Sequence, residues 1–128
     1  MTVLKPVNTI LLRIIVAEHI KRTMTIQVNS DKNITVSEAF IAKITQDLNS
    51  SLARFDEFVT RLEVFLADEN SERQGSNDKR CTIEVRIKGL DPEAVTSTAD
   101  DIGLAFKLAS DKVAQLLRNR TDKMKDHS

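Results

Sequence analysis

Apolar and polar positions first fall into a clear rhythm at Thr25. Ile26 and Val28 alternate with polar neighbours up to Asn29, the period of a half-buried strand. Polar Ser30 to Asn33 follows. Phe40, Ile41, Ile44, Leu48 and Leu52 then recur at three- and four-residue intervals, which predicts an amphipathic helix from Ser37 to Ala53. Its start is capped either by Ser37 or by Thr35 with Glu38 as a capping box. From Phe58 to Asp68 a second strand sets Phe58, Leu62, Val64 and Leu66 against Arg61 and Glu63. The wholly polar segment Glu69 to Asp78 is too long for a tight turn and reads as a hairpin loop. Cys81, Ile83, Val85 and Ile87 next alternate strictly with Arg80, Thr82, Glu84, Arg86 and Lys88, a third strand with one wet face. Gly89 to Pro92 is turn chemistry, and the Val- and Thr-rich run Glu93 to Ala99 predicts a short fourth strand at an edge. A long helix begins near Thr98 or Asp100 and continues to about Lys125. Ile102, Phe106, Ala109, Val113, Leu116, Leu117 and Met124 lie within one arc of it. The order βαβββα predicts the α+β class: a four-stranded sheet with both amphipathic helices packed on one face and a polar face opposite.

The first 23 residues have neither rhythm, and a second methionine, Met24, stands directly before the first strand. Residues 1–23 are therefore read as an N-terminal extension. It is either the product of an upstream start codon or an extra strand or helix burying Ile10, Leu12, Ile14 and Val16. Residues 24–128 are read as a single domain. A chain of 128 residues suits one core, and three glycines with two prolines leave few tight turns between long elements. The densest apolar stretch, Ile10 to Ala17, is broken by Arg13 and falls far short of the ~20 residues that span a bilayer. A single cysteine cannot make an intramolecular disulfide and favours a reducing cytosol, so a cytoplasmic protein without membrane contact is expected.

Enzyme signatures are scarce: no Gly-rich phosphate loop, GxSxG, HExxH or CxxC pair occurs, and there are only two histidines, His19 and His127. No catalysis, cofactor, metal or small-molecule substrate is expected. Cys81 falls on an inward position and reads as a small buried hydrophobe. Asp68, Glu69, Glu72 and Asp78 around the hairpin loop lack EF-hand spacing and read as solvated acids.

Charge, by contrast, is segregated. Nineteen bases balance nineteen acids over the whole chain, yet between Lys107 and Lys125 six bases face only Asp111 and Asp122. At 100° per residue Lys107, Arg118 and Lys125 share one exposed stripe, while Lys112 and Lys123 form a second beside the apolar arc. Such rows match a phosphate backbone, because each neutralised phosphate also releases condensed counterions. The plain alternative is a solvated helix whose terminal bases complement the macrodipole. With no Trp or Tyr and with most Phe on apolar faces, base stacking lacks residues, so an RNA partner would be read by shape and backbone. A competing reading is a protein-interaction module, homodimerising weakly or modulating transcription, that uses the open sheet face or Leu104 and Leu108, which point away from the arc.

The run Asp111 to His127, with its DK…DKxKxH ending, resembles the terminal helix of the bacterial ribosome hibernation promoting factors, also called ribosome-associated inhibitor A or sigma-54 modulation proteins. Met24 to Asn29, Ser37 to Ala39, and Asp101 with Ala105 and Phe106 are similar at the matching places, so the likeness covers Met24 to His127. It implies a factor that occupies the small ribosomal subunit, blocks translation and preserves idle ribosomes in stationary phase. By matched position Lys112, Lys123 and Lys125 would contact rRNA, with Arg118 and Arg120 as basic substitutes and Lys107 on the same helix. Gln115 and Asn119 depart from positions where the family often carries bases. Because the chain ends just after the long helix, the resemblance implies a short form. Whether such a factor pairs ribosomes or silences single particles is not written in the sequence.

Overall fold

A computed structural model describes residues 24–69 and 78–126. The four strands are β1 (Thr25–Ser30), β2 (Val59–Asp68), β3 (Lys79–Ile87) and β4 (Glu93–Ala99); the helices are α1 (Glu38–Ser51) and α2 (Ile102–Asp126). The order is βαβββα, as the alternation predicts. The sheet runs β1-β2-β3-β4, with β1 parallel to β2 across the α1 crossover and the other neighbours antiparallel. The expected extension at 1–23, the tip of the hairpin loop at 70–77 and His127 lie outside the described residues.

Both helices cover one sheet face. Leu62, Val64 and Leu66 from β2 and Cys81, Ile83, Val85 and Ile87 from β3 meet Ile44 and Leu48 of α1 and Ala105, Phe106, Ala109, Val113 and Leu117 of α2 in one buried cluster. Leu52 and Phe55 close it where α1 gives way to a single 3-10 turn at Ala53–Phe55. The burial of these apolar faces, on the order of 25 cal/mol per Å², is what holds helices to sheet.

Three details depart from the reading by periodicity. The register slips between Val59 and Arg61, a bulge that shifts the alternation by one residue. Val59 is therefore buried along with Leu62, and Phe58 sits half-buried in the preceding turn rather than on the strand. Ser37 alone caps α1, its hydroxyl accepting from the Phe40 amide at 3.0 Å. Finally α2 starts at Ile102, later than expected, because pairing holds β4 as far as Ala99 and Asp101 then caps the helix, its carboxylate accepting from the Leu104 amide at 3.0 Å. Gly89 provides the positive φ of 79° needed in the turn between β3 and β4.

Candidate nucleic-acid interface

The long helix follows β4 through a short turn and folds back along it, so its flank lies over the sheet's outer strand. The six bases singled out by charge meet different surroundings there. Lys112 reaches down to β4 and donates to the Thr96 carbonyl at 2.7 Å, a neutral acceptor that leaves its charge uncompensated. Arg118 donates to Gln115 Oε1 at 2.7 Å, and the Gln115 amide in turn donates to Asn119 Oδ1 at 3.1 Å. These two neutral residues thus orient the guanidinium of Arg118 without cancelling it. Lys107 sits 3.8 Å from Asp111, but both side chains are about 70% exposed (72% and 68%), so this i,i+4 pair is weak and screened by salt.

Arg120 differs from the rest. Its Nε and Nη2 donate to the two oxygens of Glu93, each at 2.7 Å, a fork-to-fork pair between the helix and the first residue of β4. The Arg120 guanidinium holds the Glu93 carboxyl below the usual carboxylate range, and Lys123 adds to the effect. Because Glu93 titrates lower in the folded chain than in the unfolded one, the pair stabilises the fold at neutral pH and is lost as pH falls through that lowered value. Arg120 is therefore a cation in a structural pair, which spacing alone did not reveal; the signal lay in an acid 27 residues away on a strand. Lys123 and Lys125 lie on the exposed side of the last turns.

Between the helices lies a groove of about 470 Å³, floored by Phe40, Ile44, Gly103 and Phe106. Its rims carry matched pairs: Lys43 with Asp47 at 3.0 Å on α1, and Lys107 with Asp111 on α2. The α1 side of any contact is consequently close to neutral.

The open face of the sheet is also rich in charge, but there each arginine has an acid beside it. Arg61 pairs with Glu63 at 3.0 Å, Arg86 with Glu84 at 3.5 Å, and Arg80 with Glu69. Phe65, 41% exposed, stands among them, one aromatic residue on the face expected to be wholly polar. Leu104 and Leu108 are exposed at 47% and 40%, as their off-arc positions predict. Cys81 is buried, and desolvation pushes its thiol up to about 12, which fits the inert reading. Among the described residues no group of three or more His, Cys, Asp or Glu could hold a metal, and no helix is long and apolar enough to cross a membrane.

The architecture is that of an α+β protein with a four-stranded sheet, two helices on one face and a cation-rich terminal helix at the sheet's edge. The chain belongs to the sigma 54 modulation protein / S30EA ribosomal protein family, whose sequence profile matches residues 26–125. Among solved structures it is similar to a ribosomal subunit interface protein from Coxiella burnetii, at 15% identity and a TM-score of 0.58 over 77% of this chain and 99% of that one. It is also similar to the N-terminal domain of Protein Y from Thermus thermophilus, at 20% identity and a TM-score of 0.55 over 75% of this chain and 98% of that one. At these identities the likeness is one of fold. No curated protein matches the chain.

Proposed function

We propose that the protein is a non-enzymatic, cytoplasmic factor that binds the small ribosomal subunit through rRNA backbone and so inhibits translation and stabilises idle ribosomes. Residues 24–128 act as one ribosome-binding unit, and neither a cofactor nor a small-molecule substrate is needed. The observation that carries this reading is the state of the α2 cations. In a chain of formal charge +0, Lys112 and Arg118 are bonded to neutral acceptors, and Lys123 projects from the same helix. Such charges remain available to phosphate, and each phosphate they neutralise releases counterions. Lys107 and Lys125 extend the array along a helix of 25 residues, about 37 Å at 1.5 Å per residue. Family membership supports the ribosome as partner.

Co-sedimentation with purified small subunits at graded salt tests the proposal. Changing Lys112, Arg118 and Lys123 together to Gln should weaken binding by on the order of a hundredfold and lower the salt slope by about one per lost contact. Equal binding by this variant and the wild type, or a response indifferent to salt, overturns it.

The exposed Leu104 and Leu108 favour a second reading, weak homodimerisation or partner docking by the outer flank of α2. Light scattering of a Leu104→Glu, Leu108→Glu variant separates the two: loss of an oligomer with subunit binding retained assigns the leucines to assembly alone.

A further inference from the structure

We infer that Glu93 is a positioning residue for the ribosome contact: an acid placed among the cations to fix the bearing of the last turns of α2. The inference rests on the reading of α2 as the rRNA-binding element. On charge alone, Glu93 works against that role, since a carboxylate beneath Arg120 and Lys123 lowers the local attraction for phosphate. Its value lies in geometry. After Leu117, the only buried side chain of the helix among the described residues is Thr121, whose hydroxyl donates to the Leu117 carbonyl of its own helix at 2.8 Å. Met124 is half-buried, and Arg118, Asn119, Asp122, Lys123 and Lys125 are exposed. Apolar packing at this end of the helix therefore comes down to the half-buried Met124 against the core.

Four bases, Arg118, Arg120, Lys123 and Lys125, fall within these eight residues. Among them Arg120 and Lys123, three positions apart, repel, and the favourable C-terminal macrodipole offsets this only in part. The planar fork of Arg120 on both oxygens of Glu93 ties the segment to the first residue of β4 with two 2.7 Å bonds. A lysine could not supply that orientation, because its ammonium is a point donor rather than a rigid fork. The clasp thus tethers the end of α2 to β4 through a residue other than Lys112, whose ammonium can exchange its Thr96 carbonyl for phosphate. One arginine is thereby held in the fold, and Lys123 and Lys125 are presented from a fixed helix.

The sign of one substitution tests this. Glu93→Gln raises the net charge by one, and so does Asp122→Asn on the exposed side of the same helix. If Glu93 acts by position, Glu93→Gln weakens small-subunit binding about threefold or more, while Asp122→Asn leaves it unchanged or slightly stronger. The exchange variant Glu93→Arg, Arg120→Glu rebuilds the pair at unchanged net charge and should return binding to within about twofold of wild type. Thermal unfolding of each variant confirms that folded protein is compared. Glu93→Gln binding as well as or better than wild type overturns the inference, and so does an exchange variant no better than Glu93→Gln. Failure of the Lys112, Arg118 and Lys123 triple change to weaken binding would instead remove the underlying reading, so the two outcomes stay distinct.

Discussion

The two charged surfaces of this molecule are built from similar residues and differ in what those residues touch. On the open sheet face, Arg61, Arg80 and Arg86 each lie against a glutamate, two of them on the same strand at i and i+2. Glu63 and Glu84 even face one another across β2 and β3, an unfavourable placement that their arginine neighbours relieve. On α2, Lys112 and Arg118 bond instead to a carbonyl and an amide oxygen. A cation already paired with a carboxylate must give up that partner to bind phosphate, whereas one resting on a neutral acceptor gives up much less. Net charge, zero for the chain, says nothing about this; pairing does.

The largest expected effect is the hundredfold loss on changing Lys112, Arg118 and Lys123 to Gln. Next comes the support beneath the helix: Leu117 is fully buried against the sheet, so Leu117→Ala should destabilise the fold by about 3 kcal/mol in urea unfolding. Retained subunit binding under native conditions would then show that the cations need only a folded helix, not a tightly seated one. Alkaline titration probes the interior that lies between the two surfaces. The Cys81 thiol has an ordinary value of 9.0 and is raised by burial to about 12. The folded chain thus keeps a proton that the unfolded chain releases, and stability should decline as pH rises from about 9 toward 12. Cys81→Val should flatten that decline, and an unaltered profile would place the titration elsewhere. The smallest effect is expected from changing Arg61, Arg80 and Arg86 to Gln. Although this alters net charge as much as the helix triple does, binding should stay within about twofold, because these arginines already have carboxylate partners that they would have to give up to meet phosphate. A loss equal to that of the helix triple would erase the distinction between the surfaces.

Much of the fold was legible because its strands obey period two and its helices period 3.6. The strict alternation of Cys81 to Ile87 and the stop at Gly89 required nothing from the rest of the chain. The bulge after Val59 did: it is set by pairing with Ile87 and Arg86, residues nearly thirty positions away. The candidate site was legible at the level of charge, since six bases in nineteen residues of a neutral chain stand out. The split among those bases was not. Arg120 looks like Arg118 in sequence, and only the return of α2 onto β4 brings Glu93 under one and leaves Gln115 beside the other. The exposure of Phe65 was hidden for a related reason, since an apolar residue on a wet face breaks alternation without saying why.

The parallel pairing of β1 with β2 has a consequence for the order of assembly. From Val59 to Asp126 every element packs on its neighbour in sequence, two hairpins and a helix laid back on the last strand. Joining β1 to this unit instead requires closing the whole α1 crossover, the costliest loop in the topology. The C-terminal half is thus expected to form first and exchange its amides last, with β1 the strand that opens most readily in the native state. The cation-bearing helix would then belong to the most persistent part of the molecule, and the flexible margin would lie at the far edge of the sheet.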